Sequence, residues 1–133
     1  MTIIESLAAY GAQLSTTQLS PDVLHHAKRA VIDWYAALLP GAVCEPPTLL
    51  EQALADDLDH GRARLALGRA ASTRTAALIN GTAAHTVEFD DIYREAIYHP
   101  GAPTIAAAWA VAQETQASGL DLLRAVVAGY AIS

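Results

Sequence analysis

Two histidines, four carboxylates and an arginine fall between Asn80 and Pro103, in the run NGTAAHTVEFDDIYREAIYHPGAP. Successive helical residues turn by about 100°. His85, Glu88 and Ile92 therefore share a face if one helix carries all three, and Asp91 continues the same spacing while Asp90 points elsewhere. A loop with Arg94, Tyr98 and His99 follows, and His99-Pro100-Gly101 leads into another apolar run. Three kinds of chemistry compete for this pattern. Plain helix-end electrostatics is one, although acids at a helix C-terminus oppose the macrodipole. A divalent metal held by His85, Glu88 and His99 is the second. The third is an acid/base site for a small carboxylate. There, His99 would sit beside the free N–H groups of a helix start at Gly101 and Ala102. Its imidazole titrates near neutrality, and Arg94 could clamp a carboxylate. His85 and Tyr98 would complete the ligand contacts, with Glu88 or Asp91 orienting an imidazole.

Helices must position these groups. Ala-rich composition favours close-packed helices over strands. Thr2-x-x-Glu5 is a capping box opening a first helix, with Ile4, Leu7, Ala8 and Leu14 on one side. Ser15 to Leu19 reads as a polar linker. Ser20-Pro21 starts a second helix, in which Leu24, Ala27, Val31, Trp34, Tyr35 and Leu38 recur at helical spacing to about Leu39. His25, His26, Lys28 and Arg29 fall on its solvated side, and Pro40-Gly41 ends it. A second capping box, Thr48-x-x-Glu51, predicts a helix to about Asp59 that buries Leu50, Leu54 and Leu58. Arg62 to Leu67 alternates as a short extended segment, too isolated for a sheet. Ser72 caps a helix from about Thr73 to Asp90, whose interior Gly81 costs about 1 kcal/mol and points to a close helix–helix contact. Phe89 to His99 reads as loop. Gly101-Ala102-Pro103 opens a helix through about Ser118, and a last helix starts at Leu120 and runs out at Ser133 without a stop signal. The expected fold is all-α, a helical bundle-like domain of about five to six helices.

The chain has 133 residues, 53% hydrophobic and only 17% charged, with a net charge of −6. Roughly 25% charged is usual, so the apolar surplus suggests a face buried against a partner or a further domain. No basic stripe points to nucleic acid. The single cysteine, Cys44, excludes an internal disulfide. The N-terminal segment has no basic n-region and no apolar run reaches membrane-spanning length, so a cytoplasmic location is the default expectation.

The run from Asn80 resembles the signature of the MmgE/PrpD family, whose members typically read NG-x-A-x-H-x-x-[DE]-[FY]-D-D, then a loop, then HP-[GS]-A and an alanine-rich helix. Asn80, Gly81, His85, Glu88, Phe89, Asp90, Asp91, His99, Pro100, Gly101 and Ala102 fall into that order. SPDVLHHAKRAVIDWYAALLPGA and GLDLLRAVVAGY resemble the family's flanking helices. The resemblance spans the chain and implies the N-terminal part of a helical domain, residues 1–133, without the α/β lid domain. It also implies proton transfer next to a carboxylate on a small di- or tricarboxylate, as in 2-methylcitrate dehydratases, cis-aconitate decarboxylases and iminodisuccinate epimerases, with no metal or organic cofactor. By position, His99 is then the acid/base or substrate-contacting histidine, and Glu88 and Asp91 belong to the carboxylate cluster of the site. Ile92 stands where decarboxylase and methylcitrate-dehydratase members often have threonine, and Glu88 where they commonly have aspartate. Those differences speak against these two activities. The resemblance further implies a homodimer, or a heteromer with a chain carrying the remaining domain, because lysines and further histidines of the family's site come from downstream. The alternative expectation is a non-catalytic helical interaction module.

Overall fold

A computed structural model describes residues 2–16 and 18–133. Among these, six α-helices and one two-stranded antiparallel sheet form the fold. The chain is predominantly helical, as the composition implies. Helix α1 (Ile3–Thr16) opens on the expected capping box: the Thr2 N–H donates to Glu5 Oε2 at 2.7 Å and the Glu5 N–H to Thr2 Oγ1 at 3.2 Å. It runs into the stretch expected to be linker, of which Thr17, like Met1, lies outside the described residues. Helix α2 (Pro21–Gly41) starts at Ser20, whose Oγ accepts the Val23 N–H, and carries Pro40 in its last turn. Its polar side, with His25, His26, Lys28 and Arg29, is exposed.

The second capping box does not form. Helix α3 is short (Pro47–Ala53), and the Thr48 hydroxyl donates to the Cys44 carbonyl rather than capping. A single 3₁₀ turn, Ala55–Asp57, then delivers Leu58 into a strand. Strands β1 (Leu58–Arg64) and β2 (Ala70–Ala71) pair, with an irregularity between Leu58 and Ala63. The segment expected to be too isolated for a sheet thus finds its partner a few residues on. Asn80 makes this possible. Its Oδ1 accepts the Ala66 N–H at 3.0 Å and its Nδ2 donates to the Arg64 carbonyl at 2.9 Å, so one buried amide satisfies two backbone groups of the hairpin.

Helix α4 (Thr73–Thr86), capped by Ser72, lies at the centre and packs on α2 and on α5 (Gly101–Thr115). Trp34, Leu38, Ala83, Ala84, Ile105, Ala106 and Val126 form one core. Leu58, Leu65, Ala76, Ile79 and Ala110 form a second beneath the hairpin. Small residues set the spacing. A Cβ on Gly81 would lie 3.1 Å from the Ala102 carbonyl, and one on Gly41 would collide with the Ala83 carbonyl. The expected close contact at Gly81 is therefore the α4–α5 crossing. Helix α5 ends earlier than Ser118, on Gln116 in the left-handed region at φ 55°. Helix α6 (Gly119–Ile132) is capped by Ser118, whose Oγ accepts the Asp121 N–H at 3.2 Å. No described helix is long and apolar enough to cross a membrane.

Candidate active site

Helix α4 stops at Thr86, before the acidic cluster rather than within it. Carboxylates in the last turn would face the negative end of the helix dipole. The chain instead turns at Glu88, which takes φ 57°. That reversal overturns the expected single face of His85, Glu88 and Asp91. It swings Asp90, expected to point away, back onto the helix it has just left.

Asp90 is the centre of the arrangement. Its side chain is 1% exposed, and its two oxygens lie 3.2 and 3.1 Å from His85 Nδ1. His99 Nδ1 lies 3.3 Å from Asp90 Oδ2. That nitrogen is buried and makes no aligned hydrogen bond, so the carboxylate is the polar group beside it rather than a formed partner. The two imidazoles meet edge to face with centroids 4.6 Å apart. On its other side His85 Nε2 is 3.8 Å from Glu88 Oε1, whose side chain is exposed.

The loop after Asp91 closes on itself. Tyr93 and Tyr98 exchange backbone hydrogen bonds of 2.7 and 3.2 Å, and Ile97 takes φ 50°. Arg94 is thrown outward on this turn, while Tyr98 and His99 return to the body. Asp91 faces the opposite way from the histidines' cleft. Its Oδ1 accepts the Gly101 N–H at 3.0 Å and its Oδ2 the Tyr130 hydroxyl at 2.8 Å. Burial first, then this bond to Asp91, pushes the Tyr130 phenol well above its ordinary ionisation. Asp33 on α2 is raised from its ordinary value by partial burial and then by the charges of Asp91 and Asp90, although much of its surface stays open. Gly101 has to be glycine for this to close: a Cβ there would lie 2.5 Å from Asp91 Oδ1 and 2.9 Å from the Tyr130 oxygen.

A cleft of about 900 Å³ opens along α4 and the start of α5, lined by Glu45, Gly81, Thr82, His85, Glu88, Tyr98, His99, Ala102 and Pro103 among others. The structure thus gathers His85, Glu88, Tyr98, His99 and Ala102 on one wall. Asp91 and Gly101 lie behind it, and Arg94 lies outside it. The helix start expected to receive an anion already holds one. Asp91 takes the Gly101 N–H, and Pro100 and Pro103 carry no N–H at all. Among the described residues no lysine or arginine lines the cleft, whose own charged groups are Glu45 and Glu88. As for metal ligands, His85, Asp90 and His99 offer atoms all within 4.8 Å of one another, so any such set contains Asp90 rather than Glu88.

A model of the MmgE/PrpD N-terminal domain matches residues 5–133. The chain belongs to the MmgE/PrpD family. No solved structure matches it. In this MmgE/PrpD domain the signature residues divide by task. Asn80 fastens the hairpin, Gly81 and Gly101 permit close approach, Asp91 and Tyr130 pin the loop, and His85, Asp90 and His99 form the polar cluster at the cleft. Asp90 is the residue that helical periodicity misplaced. The dipole conflict at the end of α4 was the available signal, since a helix that stops short frees the second acid to fold back.

Proposed function

We propose that this MmgE/PrpD domain supplies the acid/base half of a site that moves a proton at a carbon next to a carboxylate. The reaction is of the dehydratase, epimerase or decarboxylase-like kind, on a small di- or tricarboxylate. The observation that carries this is His99, on the cleft wall with its Nδ1 against a buried carboxylate. With a proton on Nδ1, Nε2 has a lone pair for the substrate. Nε2 takes the proton, and the C–H electron pair stays on the substrate, drawn toward the neighbouring carboxylate. Asp90 then offsets the charge of the imidazolium, and the proton returns to substrate or leaving group. None of these steps uses a cofactor.

The cleft's formal charge from Glu45 and Glu88 is the wrong sign for an anionic substrate. Cations from the remaining domain or a partner chain complete the site in this proposal, as a homodimer or heteromer in the cytoplasm. In a complete, active assembly His99→Ala lowers turnover by about 10²–10⁴-fold; near-wild-type activity refutes its role. If the full site is needed, the isolated chain should show no turnover on methylcitrate, cis-aconitate or iminodisuccinate. A second reading, a helical interaction module without catalysis, is favoured by Ile3, Ile4 and Ile32, which are 80, 79 and 69% exposed. Light scattering during size exclusion tests it, and a clean monomer at high concentration counts against it.

A further inference from the structure

We infer that Asp90 is a positioning residue that sets the tautomers of two histidines at once, making His85 and His99 a pair of proton acceptors on one cleft wall. This deepens the acid/base role given to His99 and rests on it for its consequence in turnover, but the tautomers can be read without any turnover.

Asp90 is almost fully enclosed, so its charge has few alternatives to the groups beside it. A carboxylate only accepts hydrogen bonds. His85 Nδ1, at 3.1 and 3.2 Å from its two oxygens, therefore bears the proton. His99 Nδ1 has no aligned partner and lies 3.3 Å from the same carboxylate, so that oxygen is the acceptor within reach for its proton as well. Which ring nitrogen carries the proton is set by the bond the other makes. With both Nδ1 atoms turned to Asp90, both Nε2 atoms keep their lone pairs, since the exposed Glu88 carboxylate, 3.8 Å from His85 Nε2, is beyond hydrogen-bond reach. Both rings line the cleft, and their centroids are only 4.6 Å apart. Free histidine in water prefers the opposite tautomer, with the proton on Nε2, which would turn that nitrogen from acceptor into donor. Asp90 thus does more than tie a loop to a helix. A merely structural ion pair would leave the loop equally anchored whichever nitrogen held the proton.

The experiment is a long-range ¹H–¹⁵N correlation spectrum of the histidine-labelled chain in alkaline buffer, where imidazoles are neutral. The exposed His25 and His26 serve as internal references. In the wild type, His85 and His99 show the Nδ1–H pattern; an Nε2–H pattern for His99 overturns the proposal without any variant. Asp90→Asn keeps one accepting oxygen, which both rings can still share through its two lone pairs, so it is the conservative variant in which Nδ1–H persists. Asp90→Ala releases both to Nε2–H. Retention of Nδ1–H on both rings in Asp90→Ala, with the backbone amide spectrum still that of a folded chain, overturns it too. If the tautomers respond as stated but His99→Ala leaves a complete assembly active, the proposed reaction fails while the positioning by Asp90 stands.

Discussion

Replacing Tyr130 with phenylalanine removes one oxygen and tests how firmly α6 holds the active-site loop. The hydroxyl donates to Asp91 Oδ2 at 2.8 Å, and the other oxygen of the same carboxylate holds the Gly101 N–H at 3.0 Å. A hydrogen bond to a charged group contributes about 1.5–3 kcal/mol. Asp91 and Tyr130 are both only half-buried, so water reaches the orphaned oxygen in part. The lower part of that range applies, ~1.5–2 kcal/mol. For a domain of this length 1 kcal/mol moves the midpoint by about 4 °C. Tyr130→Phe therefore melts roughly 6–8 °C below the wild type in a circular-dichroism scan. Tyr10→Phe, which loses a hydroxyl from an exposed ring on α1, is the matched control and stays close to the wild type. A shift below about 1 °C for Tyr130→Phe would show that the Asp91 contact carries no weight, and the account of Gly101 would fall with it.

Gly41→Ala drives a methyl group into the Ala83 carbonyl and should lose about 1–3 kcal/mol or more in urea unfolding. Gly81→Ala needs only a few tenths of an ångström from Ala102 and gains about 1 kcal/mol in helix propensity, so its midpoint stays near the wild type. Asn80→Ala leaves two hairpin backbone groups without partners and should cost ~2–3 kcal/mol by the same measurement, with Ala66 amide exchange accelerating. The Thr75 hydroxyl, then Arg74, holds the Asp57 carboxyl below its ordinary value. A group depressed in the folded state stabilises above its unfolded pKa and loses that contribution as pH falls through the folded one. Asp57 should therefore titrate below free aspartate in a carboxyl NMR titration, and stability should decline as pH drops beneath the usual carboxylate range; a midpoint at or above the free value refutes this.

Helix identity was legible because its signals are local. Thr2 with Glu5, Ser20 with Pro21, and Ser72 each announce a cap, and Trp34 and Leu38 keep helical spacing into the core. The hairpin was not, because the amide that holds it, Asn80, lies on a helix well along the chain. Thr48 misled for a related reason. Its hydroxyl had a competing acceptor in the Cys44 carbonyl, which a pattern of residue types does not reveal. At the site, His85, Glu88, Tyr98 and His99 could be picked by type and do share a cleft. The positions of Asp90 and Asp91 could not, since a left-handed Glu88 exchanges which of the two faces the histidines. Helical spacing carries no information past the residue where the helix ends.

The bond from Tyr130 to Asp91 joins residues 39 positions apart, and this sets an order of events during synthesis. As the chain emerges, the loop with Asp90, Asp91 and His99 is synthesised before the phenol that secures it. The cleft-bearing edge of the domain is thus not secured until the sixth helix docks. A nascent chain released before Tyr130 should carry its helical core yet leave the imidazole cluster unsettled.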